Sequence, residues 1–294
     1  VAPYDKSATK LLEESIKYNN IYMNPKGMNI FKELYTLFVL LNACKSIKPD
    51  VVFAYTIKNC IYLGICAYIF RFKFYPTITG LGSSIEGTSH SAILIRKLLT
   101  LSLRNATHVF CQNDYIENFL TQNRIATANQ CIMVPGSGVD LEKFKIKVPM
   151  LSSKTHFLFV GRILEAKGIG HFIEAAKLLI NEGINADFRI IGSRDKGDPD
   201  CFYERMLNDI KNFTSIQYIG FVEDVRIELN KCNCVVLPTT YNEGVPRSLL
   251  EAAAMGKIII TTNRPGCRET VDDGKNGFLI DNITVLSVYN EMIR

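Results

Sequence analysis

The sequence predicts an α/β protein built from two doubly wound domains in series. Three observations predict it. Short β-branched or aromatic runs alternate with longer stretches of helical period along the 294 residues. The runs are apolar on both faces, as strands of a helix-covered parallel sheet are. The alternation restarts after KFKIKVPMLSSKTH (143–156), a segment that is charged, then Pro-containing, then Ser-rich.

In the first half the predicted strands are VVFAY (51–55), FYPTIT (74–79), HVFCQ (108–112) and CIMV (131–134). Helices are predicted over 28–48, 60–70, 90–104 and 114–122. In the first of these, Phe31, Leu34, Tyr35, Phe38 and Leu41 recur at spacings of three and four, which is a helical period. The eleven residues CIYLGICAYIF (60–70) are too few for a membrane-spanning helix and read as a buried one. In the second half the predicted strands are 156–161, 187–192, 216–220, 234–238, 257–262 and 277–280. Helices are predicted over 168–182, 201–213, 223–231, 246–255 and 283–293. Strand–helix–strand units of this kind form right-handed crossovers in a parallel sheet. The domains are therefore expected at 1–148 and 149–294, with a ligand cleft between the facing strand ends.

Composition narrows the function classes. A hydrophobic content of 47% with 21% charged residues excludes a disordered chain. Nine dispersed cysteines, none spaced C-x-x-C, fit a reducing compartment and argue against a disulfide framework or a zinc site. Residues 1–150 carry 17 Lys and Arg against 10 Asp and Glu, whereas residues 151–294 carry 17 against 19. A basic first half fits an ordinary soluble domain, a membrane surface or a phosphorylated ligand. A dinucleotide oxidoreductase is disfavoured, because GLGSSIEG has Ile85 and GSGVDL has Leu141 where a third glycine is required.

The chemistry is expected at the carboxyl ends of the second-half strands. HFLFVG is followed by RILEAKG, which places Arg162 and Lys167 in one turn after Gly161, before a helix from about Gly168. Two cations beside a helix N-terminus make an anion site, although a pair of exposed loop cations has the same appearance. CVVLP is followed by TTYNEGVPRSLLEAAAMG. There Glu243 lies in the loop, Gly244 permits close backbone approach, and Pro246 suits the first turn of a helix. Glu251 sits in an apolar run, where an ionised carboxylate needs a partner: a ligand or a neighbouring Arg. KIIITT is followed by NRPGCRETV, with Gly266, Cys267, Arg268 and Glu269 opening a further helix. Cations for a diphosphate and carboxylates for hydroxyls on one rim describe a nucleotide-sugar site.

FVGRILEAKG, PTTYNEGVPRSLLEAAAMGKIIITT and PGCRETVDDGKNGFLI resemble the retaining GT-B glycosyltransferases of family four. The family's E-x7-E signature is matched by Glu243 and Glu251. FAYTIKNCIYLG, TITGLGSSI and VPGSGVDLEKF resemble the bacterial branch that builds capsule, lipopolysaccharide and lipid-linked oligosaccharides. The resemblance runs from Val1 to about Ile280. It implies two facing Rossmann-like domains. It assigns the donor diphosphate to Arg162 and Lys167, the donor sugar to Glu243 and the ribose to Glu251. Gly161 and the Gly244, Val245, Pro246 loop also fall in the donor site, and Phe221, Val222 and Glu223 fall beside the base. Lys58, just after a strand, is a candidate for an acceptor diphosphate or a solvated loop lysine.

The reaction implied is retaining, metal-independent transfer of a hexose or N-acetylhexosamine, N-acetylgalactosamine first. The donor is a UDP-sugar and no cofactor is needed. The acceptor is lipid-linked or a cell-surface glycan, and no nucleic acid is involved. The enzyme is expected in the cytoplasm, peripheral on the inner face of the plasma membrane. A 2-epimerase-like enzyme of the same fold and a non-catalytic nucleotide-sugar-binding fragment are the alternatives. Relatives carry a strand and Gly-rich loop ahead of VAPYD and helices beyond Arg294, so the first domain is expected to be incomplete and the C-terminal helices truncated. Many relatives also place a His where TITG stands; Thr79 and Gly80 occupy that position, and His90 follows in GTSHSA.

Overall fold

A computed structural model describes residues 16–21, 23, 29–146, 153–194 and 202–294. The chain start VAPYD lies outside these residues. So do 147–152 of the expected linker, and Met28 and Cys201 at the ends of two predicted helices.

The chain forms two compact units. The first comprises Val1–Ile78, Ser83–Cys111 and Glu117–Ile132. Its elements are α1 (Ile30–Ile47), β1 (Val51–Tyr55), α2 (Ile57–Phe70), β2 (Lys73–Ile78), α3 (Ser83–Glu86), α4 (His90–Leu103), β3 (Val109–Cys111) and, from Glu117 onward, α5 (Asp114–Gln122), whose first turn groups with the second unit. A 3-10 turn (Ala128–Gln130) then leads into β4 (Cys131–Met133). The sheet order is β1-β2-β3-β4, and β1 to β3 pair in parallel. Cys60, Cys66, Phe74, Ile78, Leu99 and Val109 are fully buried in this unit. The helical period read in α1 is real, but its burial lies elsewhere. Thr36, Leu40 and Cys44 face inward, while Phe31, Leu34, Tyr35 and Phe38 are exposed.

The second unit comprises Thr79–Gly82, Gln112–Ile116 and Met133–Arg294. It holds β5 (Thr155–Val160), α6 (Ile169–Asn181), β6 (Ala186–Ile191), α7 (Phe202–Ile210), β7 (Ile216–Gly220) and α8 (Val225–Asn230). β8 (Cys234–Leu237), α9 (Arg247–Ala254), β9 (Ile258–Thr262), β10 (Gly277–Ile280) and α10 (Val285–Ile293) complete it. The sheet order is β10-β9-β8-β5-β6-β7, and its five neighbouring pairs are parallel. Strand β8 is buried along its length, as an apolar central strand must be. Met133 onward packs with this unit, ahead of the expected boundary at 148/149. The reason is Phe144, whose ring joins the second unit's core.

The strand order reverses between β5 and β8, which makes their carboxyl ends the switch point at which doubly wound sheets take their ligands.

Candidate active site

The loops after β5 and β8 carry Lys167 and Glu243. Lys167 Nζ lies 2.6 Å from both carboxylate oxygens of Glu243, and both side chains are largely buried. The switch point thus brings together two charges 76 positions apart in sequence. A third group fixes the pair. The Thr239 hydroxyl accepts from the Tyr241 amide (3.2 Å) and points toward Glu243 Oε1 (2.9 Å). The Thr240 amide and hydroxyl donate to the Ala166 carbonyl at 2.9 and 3.1 Å, holding the Lys167 turn against the end of β8. Thr262 ties β9 to the same point through the Thr239 carbonyl (3.0 Å).

Lys167 sits in a 3-10 turn, Glu165–Lys167, and α6 begins only at Ile169. Arg162 is not in that turn. It is separated from it by Ile163, which bridges to Arg194, and by an extended Leu164. This corrects the reading of Arg162 and Lys167 as one basic turn. Arg162 is an exposed residue on the same connection, next to Gly161, whose amide donates to the Ile191 carbonyl (3.1 Å). Between the turn and α6 stands Gly168, with φ +77°. A Cβ there would overlap the Pro238 carbonyl, so only glycine lets the β5 and β8 connections close on each other. No side chain caps α6, which leaves its positive end to the rim.

Glu243 is held through its backbone as well. Its amide donates to the Pro265 carbonyl (3.1 Å). Its carbonyl accepts from Asn113 Nδ2 (2.8 Å), and Asn113 Oδ1 accepts the Ile116 amide (3.0 Å). Val245 is buried, and Pro246 stands at the N-cap of α9, one residue before the helix. The expected helix at Gly266 is instead a single 3-10 turn, Arg268–Thr270, too short to supply a helix dipole. Gly266 itself has φ +90°, and a Cβ on it would overlap the Gly244 carbonyl. Its amide donates to Glu269 Oε2 at 2.7 Å.

Glu251 is buried on α9, and its Oε1 accepts from Arg247 Nε at 2.8 Å, one turn back. Burial pushes its carboxyl above the ordinary glutamate range, and Arg247 offsets part of that rise. The partner demanded by its apolar flanks is therefore present in the protein. After β7, Phe221 is exposed, and Val222 packs partly against the core. Lys58 does not stand in a loop. It lies in the first turn of α2 and pairs with Glu33 (2.7 Å), whose other oxygen accepts the Tyr62 hydroxyl. An acceptor diphosphate would have to displace that carboxylate. Among the described residues no three His, Cys, Asp or Glu are grouped to hold a metal ion.

Thr239, Asn113 and Arg247 were not singled out from sequence. Arg247 was open to recognition by its i, i+4 spacing to Glu251, and the Thr pair by its place at a strand end. Nothing local marks Asn113, whose contact spans 130 positions.

A profile of the family described as Glycosyl transferases group 1 matches residues 141–288. The chain belongs to this family. The glycosyltransferase is 26% identical over 294 residues to N,N'-diacetylbacillosaminyl-diphospho-undecaprenol alpha-1,3-N-acetylgalactosaminyltransferase of Campylobacter jejuni, spanning 94% of this chain and 76% of that one. It is 26% identical over 303 residues to UDP-Gal:alpha-D-GlcNAc-diphosphoundecaprenol alpha-1,3-galactosyltransferase of Escherichia coli, spanning 97% and 76%. Among solved structures it matches Anabaena HepE in complex with UDP-glucose, with TM-score 0.80 and 17% identity over 96% of this chain and 77% of that one. The glycosyltransferase has the GT-B fold.

Proposed function

We propose that this glycosyltransferase moves a hexose or N-acetylhexosamine, N-acetylgalactosamine first, from a UDP-sugar to a lipid-linked glycan with retention of configuration. One observation carries the reading: a cation and a carboxylate are held together at the switch point, beside the uncapped start of α6. Both charges are costly to bury. The donor diphosphate takes Lys167 from Glu243, with Arg162 on the same connection. Glu243, released, accepts hydrogen bonds from the sugar hydroxyls, and Glu251 accepts them from the ribose.

In the reaction the bond from the anomeric carbon to the diphosphate oxygen breaks. A bond to the acceptor oxygen forms on the same face, and a donor phosphate oxygen takes the acceptor proton. The protein's share is to stabilise charge developing on the leaving diphosphate and to orient the sugar. The acceptor class is supported by the two undecaprenol-diphosphate relatives. A lipid-linked acceptor puts the enzyme peripherally at the inner membrane face. Among the described residues no helix is long and apolar enough to cross a membrane.

The test is a screen of UDP-sugars with undecaprenyl-diphosphate-linked saccharides, products being read by mass spectrometry and anomeric configuration by NMR. Transfer with retention from one UDP-sugar is expected. Inversion, or isomerisation of the donor without any acceptor, would sink the proposal.

A further inference from the structure

The first unit carries a charged surface of its own, at the edge of its sheet where the strands begin. Every helix-to-strand connection there carries an exposed cation: Lys48 before β1, Arg71 before β2, Arg104 before β3 and Arg124 before β4. Lys45 and Lys73 join them around a hollow of ≈ 750 Å³, and Arg104 and Arg124 line a second of ≈ 360 Å³. Asp50 is the single carboxylate lining either hollow. Among the described residues no carboxylate pairs with any of the six cations.

The backbone adds an independent observation. Lys48, Arg71 and Arg124 have φ of 50°, 60° and 55°, the left-handed conformation in which helix ends normally place glycine. Among the described residues only one other non-glycine residue, Thr56, has positive φ. A cation at a helix C-terminus gains something from the dipole. The left-handed conformation costs a side-chain-bearing residue more than an exposed charge gains there. The strain is thus spent on three charges at one edge. Beside them stand Ile47, Tyr68, Ile69 and Leu101, each more than half exposed at the ends of α1, α2 and α4.

We propose that this edge docks the protein on an anionic lipid bilayer. The six cations meet the phosphate headgroups, and the four apolar side chains enter the interface, Tyr68 at headgroup depth. Charge complementarity selects this occupant over another protein, and the interspersed apolar residues select a bilayer over a free polyanion. The proposal rests on the reading of a lipid-linked acceptor only for its purpose; the surface is testable without donor or acceptor.

The protein is sedimented with vesicles of phosphatidylcholine containing phosphatidylglycerol, with pure phosphatidylcholine vesicles, and with inorganic tripolyphosphate as competitor. Binding is expected on the anionic vesicles alone, lost at high salt and only weakly competed by tripolyphosphate. The variant Lys48→Gly/Arg71→Gly/Arg124→Gly relieves the three strained positions, so its melting temperature is expected to hold or rise. Its vesicle affinity is expected to fall about 100-fold, at roughly fivefold per charge. Equal vesicle affinity of variant and parent would overturn the proposal, as would tight tripolyphosphate binding without vesicle binding. Transfer to a short-chain, water-soluble acceptor is expected to be equal in parent and variant. If the parent transfers nothing while binding vesicles as stated, the assignment of function fails and the docking surface stands.

Discussion

Lys167 and Glu243 neutralise each other at 2.6 Å until something takes one of them away. Lys167→Ala removes the charge proposed for the leaving diphosphate, and turnover is expected to fall at least about 100-fold. Steady-state kinetics beside a thermal melt separates this from any loss of stability caused by the stranded Glu243; unchanged turnover would end the diphosphate role. Glu251 makes a different case, because burial raises its carboxyl above the ordinary value. The ionised form is then a cost to the fold. That cost is absent below the unfolded value, about 4.3, and grows as pH rises through the raised folded value. Glu251→Gln is therefore expected to be no less stable than the parent at pH 7 and to lose that pH dependence. Its affinity for a UDP-sugar is expected to drop about 10- to 100-fold, the worth of hydrogen bonds to a charged acceptor. Chemical denaturation across pH with calorimetry of donor binding reads both. A variant that loses stability and keeps donor affinity would assign Glu251 to structure through Arg247 alone.

At the scale of elements, the strands are legible from sequence to within a residue or so at each end, because short β-branched and aromatic runs mark strands whether or not both faces are buried. VVFAY, IQYIG and GFLI match β1, β7 and β10 to the residue. The short elements were not legible. The Glu165–Lys167 and Arg268–Thr270 turns and the four-residue α3 span too little chain to show a period. For the same reason the sequence does not separate Arg162 from the turn that holds Lys167. The site was legible as a set of residues on a rim, and its pairing was not, since the Lys167–Glu243 contact depends on the strand order rather than on spacing. Gly266 tests how far the element geometry governs that pairing. Gly266→Ala forces a Cβ toward the Gly244 carbonyl at positive φ, which costs about 1–2 kcal/mol for the conformation alone. The Glu243–Gly244 loop is expected to shift, and kcat/KM to fall further than the melting temperature implies. A variant with a lowered melting temperature and parental kcat/KM would show that the loop position is not critical.

At the scale of the molecule, charge is divided as the two proposed surfaces require. The first 150 residues carry the excess of cations, and the remainder a slight excess of acids. Long-range attraction to a bilayer is thus expected to act through the first unit. Hydrogen exchange can separate the two functions in one protein. UDP is expected to slow exchange at Ala166–Gly170, Glu243–Arg247 and Gly266, where amides border the switch point, and to leave Lys45–Lys48, Arg71–Lys73 and Arg124 unchanged. Anionic vesicles without nucleotide are expected to give the reverse pattern. Protection of the basic edge by UDP, or of the switch-point loops by vesicles alone, would contradict the division. The donor and the membrane would then compete for a single cationic surface, and the paired Lys167 would have to be reassigned along with the strained cations.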